Sequence, residues 1–288
     1  MQFNAWRDLV RRNPRVDGLT FIAFDTETTG MWSPDRLVEI AGVKFRGGKI
    51  LDEISLLIDP CMPIPPETTL IHGITDAMVR GEWKAPGALR EFFEFSRNAI
   101  WIAHNAPFDA GVIAGETFRA GCLPPEGPIL DTLRMSRKTL PASRHSLETL
   151  VRELDLPPEN HHRALPDSRH VFRLFGRICQ KVDEGGNPTL SGIMEINGEE
   201  ITLGKYLPEC PDLPEEFEPL REASLSETPV SILYAPSGGN AGYRTVTPRL
   251  FYRRKEVIYM EATCHASGSR KCYRLDRIRK FHSAAEEG

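Results

Sequence analysis

No CxxC pair occurs anywhere in the 288 residues, and the six cysteines (Cys61, Cys122, Cys179, Cys210, Cys264, Cys272) are scattered. That pattern offers neither a zinc ribbon nor a disulfide framework; reduced thiols used for packing are the expectation. No stretch approaches the ~18 apolar residues of a membrane span. The opening residues, Met1 to Arg15, read as a short amphipathic helix with Ala5, Trp6, Leu9 and Val10 on one side. They lack the apolar core of a secretory signal ahead of Arg11 and Arg12. A soluble, cytoplasmic protein with no membrane partner is therefore expected. An excess of positive charge is missing too: 36 Lys and Arg face 40 Asp and Glu, a net of −4. Such a balance argues against a protein built mainly to coat nucleic acid. An enzyme that gathers cations in a carboxylate pocket can still be acidic overall and act on phosphates.

What is present is an ordinary globular balance, 40% apolar and 26% charged, long enough for one large or two medium domains. The apolar run Leu19 to Phe24 ends in Asp-Thr-Glu-Thr-Thr-Gly, as a buried strand would, and Leu37–Phe45 and Ile50–Ile58 read as two more strands around Gly47-Gly48. Strand and helix then alternate: helix at 88–96, strand at 100–103, helix at 108–120, strand at 129–131, helix at 133–138. Ser146 can cap a helix running to Leu154, and a last helix carries Asp167, Val171, Leu174 and Phe175 at i, i+4, i+7, i+8. This is an α/β domain over residues 1–182.

Composition then changes sign twice. Between Asp183 and Glu227 twelve acids face only Lys205 and Arg221, with prolines interspersed. Residues 183–228 thus read as an extended acidic linker, with a small hairpin at Ile193 to Leu203 around Asn197-Gly198. From Arg244 to Lys280 eleven bases face three acids (Glu256, Glu261, Asp276), and strand-like runs at 230–234, 257–264 and 270–278 suggest a basic all-β module over 229–288.

Hydrolysis of a phosphodiester by an activated water needs the anionic transition state neutralised, and two divalent ions roughly 4 Å apart serve both ends. Hard cations want clustered carboxylates. Asp25 and Glu27 are two apart at the end of a strand and so share a face. Asp109 closes His-Asn-Ala-Pro-Phe-Asp, and Asp167 closes His-Arg-Ala-Leu-Pro-Asp. A histidine five residues before that last aspartate suits proton transfer near neutrality.

On these residues the segment 20–176 resembles the DEDDh exonucleases, the DnaQ-like family that includes replicase proofreading subunits. Phe24-Asp25-Thr26-Glu27-Thr28-Thr29-Gly30, His104 to Asp109, and His162-Arg163-Ala164-Leu165-Pro166-Asp167 match its three motifs in order. The connecting segments Asp59-Pro60 to Pro66, His72-Gly73-Ile74-Thr75 and Asp131-Thr132-Leu133 look like the proofreading branch. The resemblance implies an RNase H-like fold, a mixed sheet flanked by helices. It implies that Asp25, Glu27, Asp109 and Asp167 bind two Mg2+ or Mn2+ ions, with His162 as general base. Thr28, Thr29, Gly30 and Met31 would lie against the terminal nucleotide, with His72, His104 and Asn105 as further substrate contacts. The implied product is a nucleoside 5′-monophosphate. His161 is the competitor to His162, which the motif spacing selects; Asp131 reads as structural.

Residues 229–281 resemble the WYL domain, a small SH3-like barrel of bacterial regulators and nucleic-acid machines. Ile258-Tyr259-Met260 occupies its signature tripeptide, with Ser231 to Tyr234 and Tyr273 to Ile278 as opening and closing strands. By that resemblance the module holds a nucleic-acid or nucleotide ligand, with Tyr259, Arg274 and Arg277 as candidate contacts. The expected activity is 3′→5′ hydrolysis of single-stranded nucleic acid, DNA favoured over RNA, with RNA or short oligonucleotides the nearest alternative. A regulatory binding protein using the WYL-like module is the reading from another class. No polymerase partner is expected; a stand-alone repair, defence or turnover nuclease is.

Overall fold

The computed structural model describes residues 3–30, 36–159 and 163–284. They divide into two compact units, residues 1–60 with 64–207 and residues 61–63 with 208–288.

Six strands build the first unit: β1 (Thr20–Thr28), β2 (Leu37–Arg46), β3 (Lys49–Asp59), β4 (Trp83–Lys84), β5 (Ile100–Ala103) and β6 (Ile129–Asp131). They hydrogen-bond in the order β4-β3-β2-β1-β5-β6. The β1–β2 and β2–β3 pairs are antiparallel and the β1–β5 and β5–β6 pairs parallel, so the sheet is mixed as expected. The helices are α1 (Phe3–Arg12), α2 (Pro66–His72), α3 (Asp76–Val79), α4 (Ala85–Phe95), α5 (Ala106–Arg119), α6 (Thr132–Thr139), α7 (Leu147–Glu153), α8 (Ala164–Val182) and α9 (Leu190–Asn197).

The two-residue period of a strand sorts β1 between two cores. Phe21 and Ala23 face Val171, Leu174 and Phe175 of α8, with the Phe21 and Phe175 rings 5.1 Å apart. Ile22 and Phe24 face Leu89 and Phe92 of α4, and Phe24 meets Trp101 edge-on at 5.0 Å. Each such ring or aliphatic side chain contributes about 1.5–3 kcal/mol on burial. Continuing the alternation sends Asp25 and Glu27 to the α8 side and Thr26 to the other. On α8 the apolar stripe Val171, Leu174, Phe175 and Ile178 is buried. Asp167 lies one turn before Val171, so the packing that docks α8 also delivers its carboxylate.

The stretch expected to be an extended linker is instead folded. Thr189 caps α9, its hydroxyl accepting from Gly192 N at 3.3 Å, and Leu190 and Ile193 enter the α8-side core. Their three-residue spacing is helical, not alternating, and the hairpin around Asn197-Gly198 does not form. The Asn-Gly pair ends a helix there: Gly198 sits at φ 77°, which glycine tolerates. Ile201 extends the β6 edge, its carbonyl accepting from Ile129 N at 2.7 Å. Acidic composition hid this because the charges are exposed while Ile201 and Leu203 are buried.

The second unit contains α10 (Glu218–Leu225) and strands β7 (Val230–Tyr234), β8 (Gly242–Arg254), β9 (Val257–Cys264), β10 (Arg270–Arg274) and β11 (Ile278–Ser283). The sheet is antiparallel in the order β10-β9-β8-β7-β11, and β8 is a strand the sequence pattern did not reveal. Its core joins Leu220, Ile232, Val246, Met260 and Tyr273. Among the described residues no pairing joins the edge strands β10 and β11, so the expected SH3-like barrel is not closed by these hydrogen bonds. Among the described residues, no helix is long and apolar enough to cross a membrane.

Candidate active site

Asp25, Glu27 and Asp167 each present a carboxylate oxygen within 4.8 Å of the other two. β1 supplies the first two from one face, and the first turn of α8 supplies the third. A bulge in the β1–β2 register immediately after Glu27 ends the regular pairing there, a common device for re-aiming side chains beside sites.

Asp109, in the first turn of α5, stands beside this trio rather than within it. It is buried, and its Oδ1 accepts from Thr26 Oγ1 at 2.6 Å. Thr26 is therefore a site residue that sequence reasoning passed over. The turn before α5 is built by Asp131, whose Oδ1 accepts from both Asn105 N and Leu133 N at 3.0 Å. Asn105 adopts the left-handed conformation at φ 64°. Asp131 is structural, as read from the sequence, and its own backbone N donates to Asn197 Oδ1 at 2.7 Å.

These carboxylates hold their protons unusually well. Burial lifts Asp25 well above the ordinary carboxylate range, and Asp109, Glu27, Asp167 and Glu39 add repulsion in that order. Burial, then Asp167, Glu39 and Asp109, push Glu27 up to about 8, against a lowering pull from Arg163. Burial takes Asp109 to about 7, though the Thr26 hydroxyl opposes it. Several carboxylate oxygens that repel one another at one place are the donor set that hard divalent ions fit.

Two ion pairs frame the cluster. Glu39, buried in the otherwise apolar Leu37–Val43 run of β2 and in register with Glu27, accepts from Arg163 Nε at 2.9 Å and Nη2 at 2.7 Å. It also accepts from Ala164 N at 3.0 Å, at the start of α8. On the other side Arg36 pairs with buried Glu116, its Nη2 reaching Oε2 at 3.1 Å, and its Nη1 donates to Pro60 O at 3.0 Å. Arg36 N donates to Thr29 Oγ1 at 3.0 Å, and Thr29 N donates back to Arg36 O at 2.9 Å. An acid inside the Leu37–Val43 run was a readable signal for Glu39. Arg36 and Glu116, eighty positions apart in the chain, had none.

The expected substrate contacts are partly committed inside the protein. Thr28 and Thr29 are buried; the Thr28 hydroxyl donates to Gly30 O. His72 is buried, with Nδ1 accepting from Ile74 N at 3.0 Å and Nε2 reaching Thr28 O at 3.3 Å. That pairing makes the ring neutral with its proton on Nε2, and burial lowers its pKa accordingly. His104 bridges Thr132 Oγ1 (3.0 Å) and His145 O (2.9 Å), holding the loop before α5. Met31, His161 and His162 lie outside the described residues.

In the second unit, Arg274 is tied to Asp276 by Nε–Oδ1 and Nη2–Oδ2 contacts of 3.1 and 2.7 Å. Arg277 donates to Ser237 Oγ, and Tyr259 stacks on Tyr252 at 5.4 Å. The candidate contacts chosen from sequence are thus engaged in local structure.

The Exonuclease family profile matches residues 22–175, more than half of the chain. The protein belongs to the exonuclease family. A WYL domain profile matches residues 215–283, a span that begins before β7 and takes in α10. A PolC-type DNA polymerase III of Listeria monocytogenes is 35% identical over 174 residues, covering 60% of this chain and 12% of that protein. The PolC-type polymerase of Thermotoga maritima is 36% identical over 178 residues, 62% of this chain and 13% of that protein. The match thus spans only about an eighth of the length of these relatives. Among solved structures, Escherichia coli exonuclease I in complex with a dA16 oligonucleotide is similar with TM-score 0.52 at 14% identity, covering 85% of this chain and 55% of that one. At that identity the likeness speaks for the fold alone.

Proposed function

We propose that the chain is a divalent-cation-dependent 3′→5′ exonuclease acting on single-stranded nucleic acid, with DNA preferred to RNA. The observation that carries this reading is the approach of Asp25, Glu27 and Asp167 within 4.8 Å, inside the segment that matches the Exonuclease family.

Asp25, Glu27 and Asp167, with Asp109 beside them, would hold Mg2+ or Mn2+. Such ions supply charge neutralisation at the scissile phosphate and a more acidic water. The protein's own part is to place and orient. β1 fixes Asp25 and Glu27 on one face, α8 carries Asp167, and Thr26 holds the Asp109 carboxylate in one orientation. Arg163 and Glu39 fix the start of α8 directly after His162. His162 would accept the proton of the water that attacks the terminal phosphorus; the P–O3′ bond breaks, the preceding nucleotide leaves with a 3′-hydroxyl, and a nucleoside 5′-monophosphate is released. His72 and the Thr29–Arg36 pair hold the Thr28–Gly30 backbone where a terminal nucleotide can rest against it.

The test uses 5′-labelled single-stranded DNA and RNA of one sequence, with magnesium or chelator, comparing wild type with Asp25→Asn. A ladder shortening from the 3′ end, dependent on magnesium and absent in Asp25→Asn, is the expected result. Faster shortening of the RNA would overturn the sugar preference. No cleavage of either strand with magnesium or manganese would overturn the whole reading.

A further inference from the structure

β6 ends the six-stranded sheet, yet all three of its residues are buried. A buried edge strand must find acceptors for the N–H groups on its open side. Ile129 and Asp131 turn theirs that way, and both are met by residues that follow α8. Ile129 N donates to Ile201 O at 2.7 Å, and Asp131 N donates to the side-chain Oδ1 of Asn197 at 2.7 Å. Asn197 is the last residue of α9, so one side chain stands where the carbonyl of a neighbouring strand would be. It lies outside both matched segments, 22–175 and 215–283.

An amide is a poor choice there for packing alone. Asn197 is 1% exposed, and among the described residues nothing accepts from its Nδ2. A buried donor without an acceptor costs stability that an apolar side chain of similar size would keep. The use of Asn197 is the acceptor it aims at Asp131, and from Asp131 the hydrogen bonds run on to the site. Asp131 Oδ1 accepts from Asn105 N and Leu133 N, each at 3.0 Å. Asn105 precedes α5 in the left-handed region at φ 64°, a conformation that surrounding contacts must hold. Phe108 N donates to Asn105 O at 2.9 Å, and Asp109 is the next residue. A second tether runs beside the first: Arg134 reaches Asp131 Oδ2 at 3.5 Å and donates to Glu199 O at 3.1 Å.

We propose that Asn197 is a positioning residue for the carboxylate cluster. Through Asp131 and Asn105 it fixes the first turn of α5, and so where Asp109 stands beside Asp25, Glu27 and Asp167. It acts through the end of β6 rather than on the substrate. The inference rests on the proposed use of that cluster to hold divalent ions. It adds that the exonuclease unit needs a segment beyond the family match to set its fourth carboxylate.

The experiment measures Mn2+ binding to the full chain without nucleic acid, and steady-state cleavage of single-stranded DNA, with a thermal melt of each variant. Asn197→Leu exchanges one unpaired buried donor, its own Nδ2, for another, Asp131 N, so the melting temperature stays close to that of wild type. Mn2+ affinity and kcat each fall on the order of tenfold, as for groups that act behind a metal ligand, while KM for the strand holds. Asn197→Asp keeps the shape and an accepting oxygen, its other oxygen protonated by burial, and recovers much of both. Lys138→Met removes the 2.6 Å bond from Lys138 Nζ to Ile196 O, which anchors the same helix end without passing through Asp131. That variant stays near wild type in Mn2+ affinity and kcat. Unchanged Mn2+ affinity in Asn197→Leu, or an equal loss in Lys138→Met or in Asn197→Asp, overturns the role. If wild type cleaves DNA and Asn197→Leu matches it, the inference fails and the nuclease reading stands. If wild type binds Mn2+ but cleaves no strand, the nuclease reading fails, and weaker Mn2+ binding by Asn197→Leu upholds the inference by itself.

Discussion

Glu39 holds Arg163 by two hydrogen bonds, at 2.9 and 2.7 Å, and in doing so ties β2 to the start of α8. The same carboxylate accepts from Ala164 N, three residues before Asp167. Two elements far apart in sequence thus meet at the residue following His162. Glu39→Gln removes one acceptor and the charge, leaving Arg163 half-partnered. The expected cost is about 2 kcal/mol of stability, discounted for the partial exposure of Arg163. The turnover rate should fall by on the order of tenfold while KM for the strand changes little, because the side chain positions α8 and touches no substrate. Steady-state kinetics beside a thermal melt reads both. A Glu39→Gln protein with unchanged kcat would remove this positioning role.

The raised carboxylates make a prediction with a definite sign. Glu27 keeps its proton to about pH 8 in the fold but loses it near its ordinary value of 4.5 when unfolded, so the folded chain binds more protons between those values. Stability must then fall as pH rises through that window. Asp109 acts in the same direction between 3.8 and about 7. In chelator the melting temperature should therefore drop from about pH 5 to pH 8, and millimolar magnesium should restore it most at the upper end. Asp25→Asn, which removes one charge from the cluster, should raise the melting temperature in chelator at about pH 8 and blunt the response to magnesium. A melting temperature flat across the window, with or without magnesium, would sink the idea of a strained cluster.

Much of this was legible before the structure, and the reasons are physical. Asp25 and Glu27 were placed on one face because strand periodicity permits nothing else, and β1 confirms it by sending Phe21 and Ala23 the same way. The stripe on α8 was readable because the large apolar Val171, Leu174 and Phe175 follow Asp167 at helical spacing. What failed to show were interactions that join distant positions. Thr26 looked like filler between two acids, yet it holds Asp109. The fold of residues 190–206 was masked by surface charge, since only Leu190, Ile193, Asn197, Ile201 and Leu203 are buried there. In the basic module the missing piece was β8, whose thirteen residues carry no clean alternation. Arg274 and Arg277, chosen from sequence, are paired locally with Asp276 and Ser237.

The buried pair Arg36–Glu116 yields an asymmetric prediction. Glu116 faces two guanidiniums, Arg36 directly and Arg119 at 3.6 Å, and it also accepts from Leu37 N at 3.3 Å. Removing Glu116 takes the carboxylate away from two buried guanidiniums and one backbone donor. Removing Arg36 leaves the carboxylate with Arg119 still at hand. Glu116→Ala should therefore cost more than Arg36→Met, with losses of about 3–5 kcal/mol for the worse variant. Denaturant unfolding of both single variants and the double checks this. The double should recover much of the loss, since a buried pair replaced whole costs less than one broken. Equal costs for the two single variants would show that Arg119 shares none of the charge.

His162 is assigned by motif spacing alone, so its test must be kinetic. An imidazole, with an ordinary pKa of ~6.5, accepts a proton only in its neutral form. Turnover should climb between about pH 6 and 8, the same window in which Glu27 and Asp109 lose protons. The two causes separate by their response to cation concentration. Saturating magnesium competes protons off the carboxylates and moves their contribution to lower pH, but leaves an imidazole limb in place. His162→Ala should lower turnover by on the order of 10²–10⁴-fold and flatten the limb that survives at saturating magnesium. If the variant keeps the limb and loses only rate, the titrating base is another group, and the carboxylate cluster itself becomes the first place to look.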